Sequence, residues 1–428
     1  MESERTTSGQ EPEMDGSPRW RRTLLVAAVA QAFSILGFAF VTPFLPLYIQ
    51  TLGVHGIANV TLWAAMLSGF VAIGMAVASP IWGVLADRYG RKIMVVRAAG
   101  SAALLVALMA LVTNVYQLLA LRLLQGVFTG TVSASQALVS SQSPRSRLGF
   151  SMGVMQTAVF IGNSLGPLGG GIVAELLGFR PTFLVAGALL LTCAVLVGLF
   201  VHEEHPKATA RSQPHTKALF GDMGRVISVP GLLPMVASVF AVQFAITQVY
   251  PILPQFVQVL QGAAGNAAIA TGLILAGAGA AGALSSTAVG WFSDRIGHKT
   301  VLATAALLAC LISIPQYFVT ATWQLGVLRI ADGFALGAML PSASAILAGL
   351  VPAERRGAAY GISAAAVSLG IAAGPLTSAG IVAISGIRAV FLSAAVLLLL
   401  ISGWVTLVVP AGSSRRMRPG ILRWRPRP

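Results

Sequence analysis

The 428 residues are 56% hydrophobic and only 10% charged, with a formal net charge of +15. Soluble domains carry about 25% charged residues, so this composition excludes one. The positive charge does not point to nucleic acid, because Lys and Arg sit in the tails and between apolar runs, where they act as topogenic signals.

A polar tail, 1–21, precedes the first apolar run and shows no cleavable signal peptide. A membrane-crossing helix needs about 20 apolar residues, and twelve such runs follow. The first six are predicted at 22–50, 62–86, 93–113, 115–141, 148–175 and 180–201, which makes 22–201 an N-terminal six-helix bundle. A polar stretch with Pro206 and Pro214, 202–230, reads as a linker. Spans 7 to 12 are predicted at 231–258, 268–292, 299–319, 322–349, 355–384 and 387–409, forming a C-terminal bundle over 231–409. A basic tail, 410–428, ends the chain. Cys193 and Cys310 lie inside apolar runs, so no disulfide framework is expected, and no cluster with metal-ligand spacing occurs.

The tails and the connectors after the even-numbered spans hold 23 of the 28 Lys and Arg residues, whereas the odd connectors hold only Arg180 and Arg388. This asymmetry predicts a multi-pass protein of the cytoplasmic (inner) membrane with both termini and the linker in the cytoplasm.

The chain repeats itself. Thr42-Pro43-Phe44-Leu45-Pro46 with Gln50 returns as Tyr250-Pro251-Ile252-Leu253-Pro254 with Gln258, an offset of 208. Gly83 to Lys92 returns as Gly290 to Lys299, Leu121-Arg122 as Leu328-Arg329, and Gly166-Pro167-Leu168 as Gly374-Pro375-Leu376. Each half holds six spans in the same orientation. That is the parallel-repeat plan of transporters, in which a pseudo-two-fold axis runs along the membrane normal and substrate binds between the halves.

These landmarks carry a resemblance. Gly83-Val84-Leu85-Ala86-Asp87-Arg88-Tyr89-Gly90-Arg91-Lys92 resembles the loop 2–3 motif of the major facilitator superfamily, with a degenerate echo around Asp294 and Arg295. Arg122 in Leu-Arg-Leu-Leu-Gln-Gly resembles the family's helix 4 motif. Gly162, Gly166, Pro167, Gly169 and Gly170 match the helix 5 motif of its drug/proton antiporter branch. The Pro43–Tyr48 and Ser79–Gly83 stretches look most like MdtG-type multidrug exporters. The resemblance spans roughly 20–410. It implies an all-α fold of two six-helix bundles, alternating access, and proton-driven export of drugs or amphiphilic small molecules. Neither an enzymatic activity nor a cofactor is implied, and a monomer is expected. A sugar or metabolite porter is the alternative within the family, and a membrane enzyme or receptor the alternative outside it. No phosphate loop, nucleophile elbow or metal cluster favours the latter.

Gly83, Asp87, Arg88, Gly90, Arg91, Lys92, Asp294 and Arg295 are the expected gating residues, with glycines for close helix approach and ion pairs for a clasp. The family often adds an acid low on helix 4, but 131–143 contains none. Ionisable groups inside spans default to function. Arg97, near the start of span 3, is expected to snorkel to the surface. Glu175 falls near the outer end of span 5, beside Arg180. Arg122, Arg329 and Asp332 are the candidates for proton coupling; Arg329 and Asp332 share a helix face at i, i+3. Resemblance to quinolone-type exporters puts the proton on Asp332, with a simple structural pair as the alternative. The expected wall of the substrate cavity comprises Gln31, Phe38, Gln125, Met155, Gln156, Gln243, Gln248 and Tyr360, a greasy surface with adaptable polar points.

Overall fold

The computed structural model describes residues 18–144, 147–203, 229–262, 266–351 and 356–409. Among these are helices and 3-10 turns and no strand, and twelve helices are long and apolar enough to cross a membrane. The N-terminal bundle contains α1 (Pro18–Val41, resumed as Leu45–Thr51), α2 (Ile57–Tyr89), α3 (Arg91–Leu108), α4 (Val115–Phe128, resumed as Thr131–Gln142), α5 (Leu148–Leu177) and α6 (Phe179–Phe200). The C-terminal bundle contains α7 (Leu232–Val249, resumed as Leu253–Gln261), α8 (Ala267–Ile296), α9 (His298–Gln316), α10 (Thr322–Gly337, resumed as Met339–Leu350), α11 (Arg356–Ser385) and α12 (Ala389–Leu407). The predicted spans agree with these ends to within five residues.

Four helices are broken, at repeat-related places, where hydropathy alone predicts continuous spans. In α1 and α7 the breaks coincide with Pro43 and Pro251, which lack the N–H that would continue the helix. In α4 the break is at Thr129-Gly130, where Gly130 has φ +132°, a conformation that favours glycine. In α10 it is a milder interruption at Ala338.

Each half has its own apolar core. Tyr48, Val106, Met109, Leu118, Phe183 and Leu190 centre the first, and Met235, Leu302, Met339, Leu347 and Leu398 the second. Leu104, Leu176, Leu199, Leu284, Leu400 and Leu407 lie exposed, as helices bathed in hydrocarbon require.

Small residues set the spacing. A Cβ at Gly162 would lie 2.7 Å from Ile35 of α1, one at Gly169 2.7 Å from the ring of Phe40, and one at Gly170 would collide with the Phe40 backbone. The second half repeats this contact, with Gly370 and Gly374 of α11 against Phe240, Phe244 and Thr247 of α7. Without a hydrophobic drive between helices, such close approach is what van der Waals attraction needs. On this basis Gly170→Ala is expected to lower stability by about 1–3 kcal/mol through overpacking. Gly153→Ala, on the same helix where an added Cβ meets nothing within 4 Å, should be neutral or slightly stabilising. Thermal unfolding of the two purified variants in detergent checks this.

Candidate transport path

The two halves meet along α5–α8 and α2–α11, pairs that the pseudo-two-fold axis exchanges. The end of the molecule that carries the basic connectors is termed the basic end; the opposite end is the far end. On α5, the residues Phe150, Gly153, Thr157, Phe160, Ser164, Pro167 and Gly171 follow one another at helical spacing on a single face. In the far half this face touches α8. A Cβ at Gly171 would lie 2.5 Å from the carbonyl of Ala268, and one at Gly279 2.9 Å from Ser164 Oγ; one at Gly272 would collide with the Pro167 carbonyl. In the basic half the same face meets open space. Phe150, Gly153, Gln156 and Thr157 are exposed and line a cavity of about 450 Å³ together with Val154 and Phe160. α5 is therefore pressed against α8 in its far half and presents an uncovered face in its basic half.

Amides hold the far end shut. Gln50 Nε2 donates to Gln258 Oε1 at 3.1 Å, and Gln258 Nε2 donates back to Gln50 Oε1 at 3.4 Å. These two residues are repeat mates, so each meets its own counterpart across the pseudo-axis. Gln255 Nε2 adds a bond to Thr61 Oγ1 of α2 at 3.0 Å, and Ala58 packs into the apolar cluster of the second half.

At the basic end, Gly90 has φ +100° and joins α2 directly to α3; Gly297 repeats the turn between α8 and α9 with the same angle. The backbone N–H groups of Arg91 and Lys92 donate to the carboxylate of Glu203 at 3.0 and 2.7 Å. An anion is thus placed at the positive end of α3. Arg91 Nη1 reaches the carbonyl of Ala137 on α4 at 3.1 Å. The missing helix 4 acid is replaced by a backbone carbonyl, and the carboxylate is supplied from just beyond α6. The sequence alone assigns Glu203 to the linker; an acid directly after an apolar run, facing a helix N-terminus, is the available signal. The side chains of Asp87, Arg88, Asp294, Arg295 and Tyr360 lie outside the described residues, as does most of the 202–230 stretch; Gly83 sits within α2.

The α4 break is held by neighbouring helices. Trp82 Nε1 of α2 donates to the Val127 carbonyl at 2.7 Å, and Ser101 Oγ of α3 to that of Phe128 at 3.1 Å. Carbonyls released by the break are satisfied within the protein, as a membrane interior demands. Arg97 does not snorkel: its guanidinium carbon lies 3.3 Å from the Trp82 ring centroid. The aromatic face gives the cation a partner that position along the chain does not disclose.

The expected cavity wall separates into groups. Gln156 lines the cleft. Gln31 and Gln125 are buried, with Gln31 Nε2 and both Oε1 atoms lacking a hydrogen-bond partner among the described residues. Phe38 packs on the first core, and Gln243 packs beside Gly370 of α11. Met155 and Gln248 sit away from open space in this structure. Met155 is fully buried with Trp20, Leu24, Ala27 and Val139, and Gln248 accepts from Ser393 of α12 at 3.0 Å. Both lie inside bundles because flanking helices cover positions that helical spacing alone leaves undecided. Glu175 and Arg180 are exposed at the far end. Arg329 and Asp332 form an ion pair, Nη1 to Oδ2 at 2.7 Å, with both side chains buried. Among the described residues no group of His, Cys, Asp and Glu has a metal-binding arrangement.

The Major Facilitator Superfamily model matches residues 27–285 and 256–426. The chain belongs to the major facilitator superfamily. Members of this superfamily are transporters, not enzymes. The chain is 36% identical over 372 residues to "Multidrug resistance protein MdtG" of Citrobacter koseri, covering 87% of this chain and 91% of that protein. It is 34% identical over 412 residues to the protein of the same name from Escherichia fergusonii, covering 96% and 99%. Among solved structures, the inward-facing, unoccupied form of a bacterial homolog of the human lysosomal transporter Spinster superposes with a TM-score of 0.77 at 16% identity, covering 93% of this chain and 98% of that one. The human organic anion transporter MFSD10 gives 0.66 at 19%, covering 91% and 100%. These structures share the superfamily fold.

The amide clasp makes a testable prediction. In Gln50→Glu/Gln258→Glu, two ionised carboxylates would face each other and repel, while a protonated pair could still share a hydrogen bond. Far-end opening should therefore rise with pH above the carboxylate range of about 4–5 and reverse on acidification. Thr61→Cys, buried in the closed far end, reports this through labelling by an impermeant maleimide. pH-independent labelling would contradict the clasp.

Proposed function

We propose that this superfamily member is a secondary exporter of drugs or amphiphilic small molecules, driven by proton antiport and working by alternating access. The observation that carries the reading is similarity to proteins named multidrug resistance protein MdtG over about nine-tenths of the chain. The helix 5 glycine motif, packed against α1 and α8, supports it. The charge asymmetry supports a cytoplasmic-membrane location with the basic end and both termini in the cytoplasm. In that orientation the far-end clasp and the open basic-end cleft describe an inward-facing state, which loads substrate from the cytoplasm or the inner leaflet.

The Arg329–Asp332 pair is proposed as the proton-coupling element, with Arg122 as its counterpart in the first half. Asp332 lies about 15 Å into α10 at 1.5 Å per residue, near mid-membrane. A carboxylate there, paired and buried, is a functional candidate by default. Protonation would break the pair, and re-forming it would release the proton, so the pair has two states that a gradient can drive.

A structural pair and a coupling pair give different results. Asp332→Asn leaves Arg329 as an uncompensated buried charge and should cost about 3–5 kcal/mol of stability. Arg329→Gln/Asp332→Asn removes both charges and should recover most of it. If the pair couples protons, the double variant is stable yet cannot accumulate substrate uphill in proteoliposomes, while downhill exchange persists. Recovery of gradient-driven export by the double variant would reduce the pair to a structural one.

A further inference from the structure

Each half of the protein carries a buried arginine at the same repeat position, Arg122 in α4 and Arg329 in α10, offset by 207. Their surroundings differ. Arg329 holds its own carboxylate three residues on, at Asp332. The residue three after Arg122 is Gln125, a neutral amide. Arg122 is 4% exposed and Gln125 3%, and Arg122 Nε and Nη2 and Gln125 Oε1 have no hydrogen-bond partner among the described residues. Other arginines have described partners: Arg97 lies on Trp82, Arg329 on Asp332, and Arg388 donates to the Tyr317 carbonyl. A buried guanidinium without a counter-charge is costly, and more so inside a membrane.

We infer that Arg122 and Gln125 form an anion-binding subsite, which receives the carboxylate, phosphonate or sulfonate group of an amphiphilic substrate. The guanidinium supplies charge and a planar set of donors suited to such groups, and the Gln125 amide can donate beside it. Arg122 is about 10 Å from the far end of α4 at the helical rise. The ligand brings the counter-charge that the second half carries in its own sequence. The subsite deepens the exporter reading and rests on it only for the role of the bound anion as cargo.

The test measures binding rather than flux. Full-length protein in phosphatidylcholine nanodiscs is titrated with pyrenebutyrate and with its neutral amide, pyrenebutyramide. Wild type should bind the carboxylate about tenfold or more tightly than the amide, the scale of one charge-assisted hydrogen bond. Gln125→Asp recreates the Arg329–Asp332 arrangement and should retain or raise thermal stability while bringing the ratio near one. Arg122→Gln should also abolish the preference; if that variant fails to fold, Gln125→Asp still decides. Equal binding of both probes by wild type, or a preserved carboxylate preference in Gln125→Asp, overturns the proposal. Repetition in phosphatidylglycerol nanodiscs should leave the wild-type preference intact; its loss there would identify the anion as a lipid headgroup and overturn the substrate assignment. Failure of drug export with the binding preference intact would refute the exporter reading and leave the subsite standing.

Discussion

Where α5 passes between α1 and α8, backbone meets backbone. The glycines of one face admit Phe40 and Ala39 of α1, and on another face Pro167 and Gly171 lie against Gly272 and Ala268 of α8. Contacts this close have little room to deform, because packed interiors transmit strain and do not absorb it. The α1–α5 contact lies within one half and binds α5 into its bundle. The α5–α8 contact lies between halves, and its closest approaches, at Gly171, Gly272 and Gly279, fall in the far half of α5. A stiff bundle with a one-ended contact to its partner has one easy motion, a rocking about the interface in which the far end parts as the basic end closes. The α2–α11 pair, related by the pseudo-axis, imposes the same restriction from the other side.

Polar groups are distributed accordingly. The far end is closed by neutral amides, Gln50 with Gln258 and Gln255 with Thr61, whose bonds are modest and can be exchanged for water when the end opens. The basic end holds charged groups, among them Glu203 against the start of α3 and Arg91 against α4. Between them the interior carries very few charges, and the two halves differ there. The second half neutralises its arginine internally, and the first does not. In a structure built from a duplicated sequence, this departure from symmetry marks where the halves took on different tasks.

Much of this is legible in the sequence. Hydropathy runs locate all twelve helices, because a membrane fixes both the length and the composition of a crossing helix. The repeat implies the two-bundle plan and makes Gln50 and Gln258 mates; that they meet, because both lie beside the pseudo-axis, is seen only in the fold. What is not legible depends on long-range contacts. The break in α4 is marked by Gly130, but the groups that sustain it, Trp82 and Ser101, come from other helices. Arg97 reads as a surface residue because its aromatic partner lies fifteen residues earlier, on a different helix. Met155 and Gln248 read as cavity wall because helical spacing gives a face without saying which neighbour covers it. Glu203 escapes notice because a polar residue after a span looks like linker until the chain is seen to fold back onto α3.

Rocking about the α5–α8 and α2–α11 contacts opens the two ends of the interface in opposition. Spin labels at His55 and Val259 report the far end, and labels at Arg147 and Ile296 the basic end; all four positions are exposed. Double electron–electron resonance in nanodiscs, across a pH range and with added transport substrate, yields both distances under the same conditions. Alternating access predicts that any condition lengthening the 55–259 distance shortens the 147–296 distance by a comparable population shift. If the two distances lengthen together, or the far end opens while the basic end remains splayed, rocking about the α5–α8 and α2–α11 contacts is not how this protein moves.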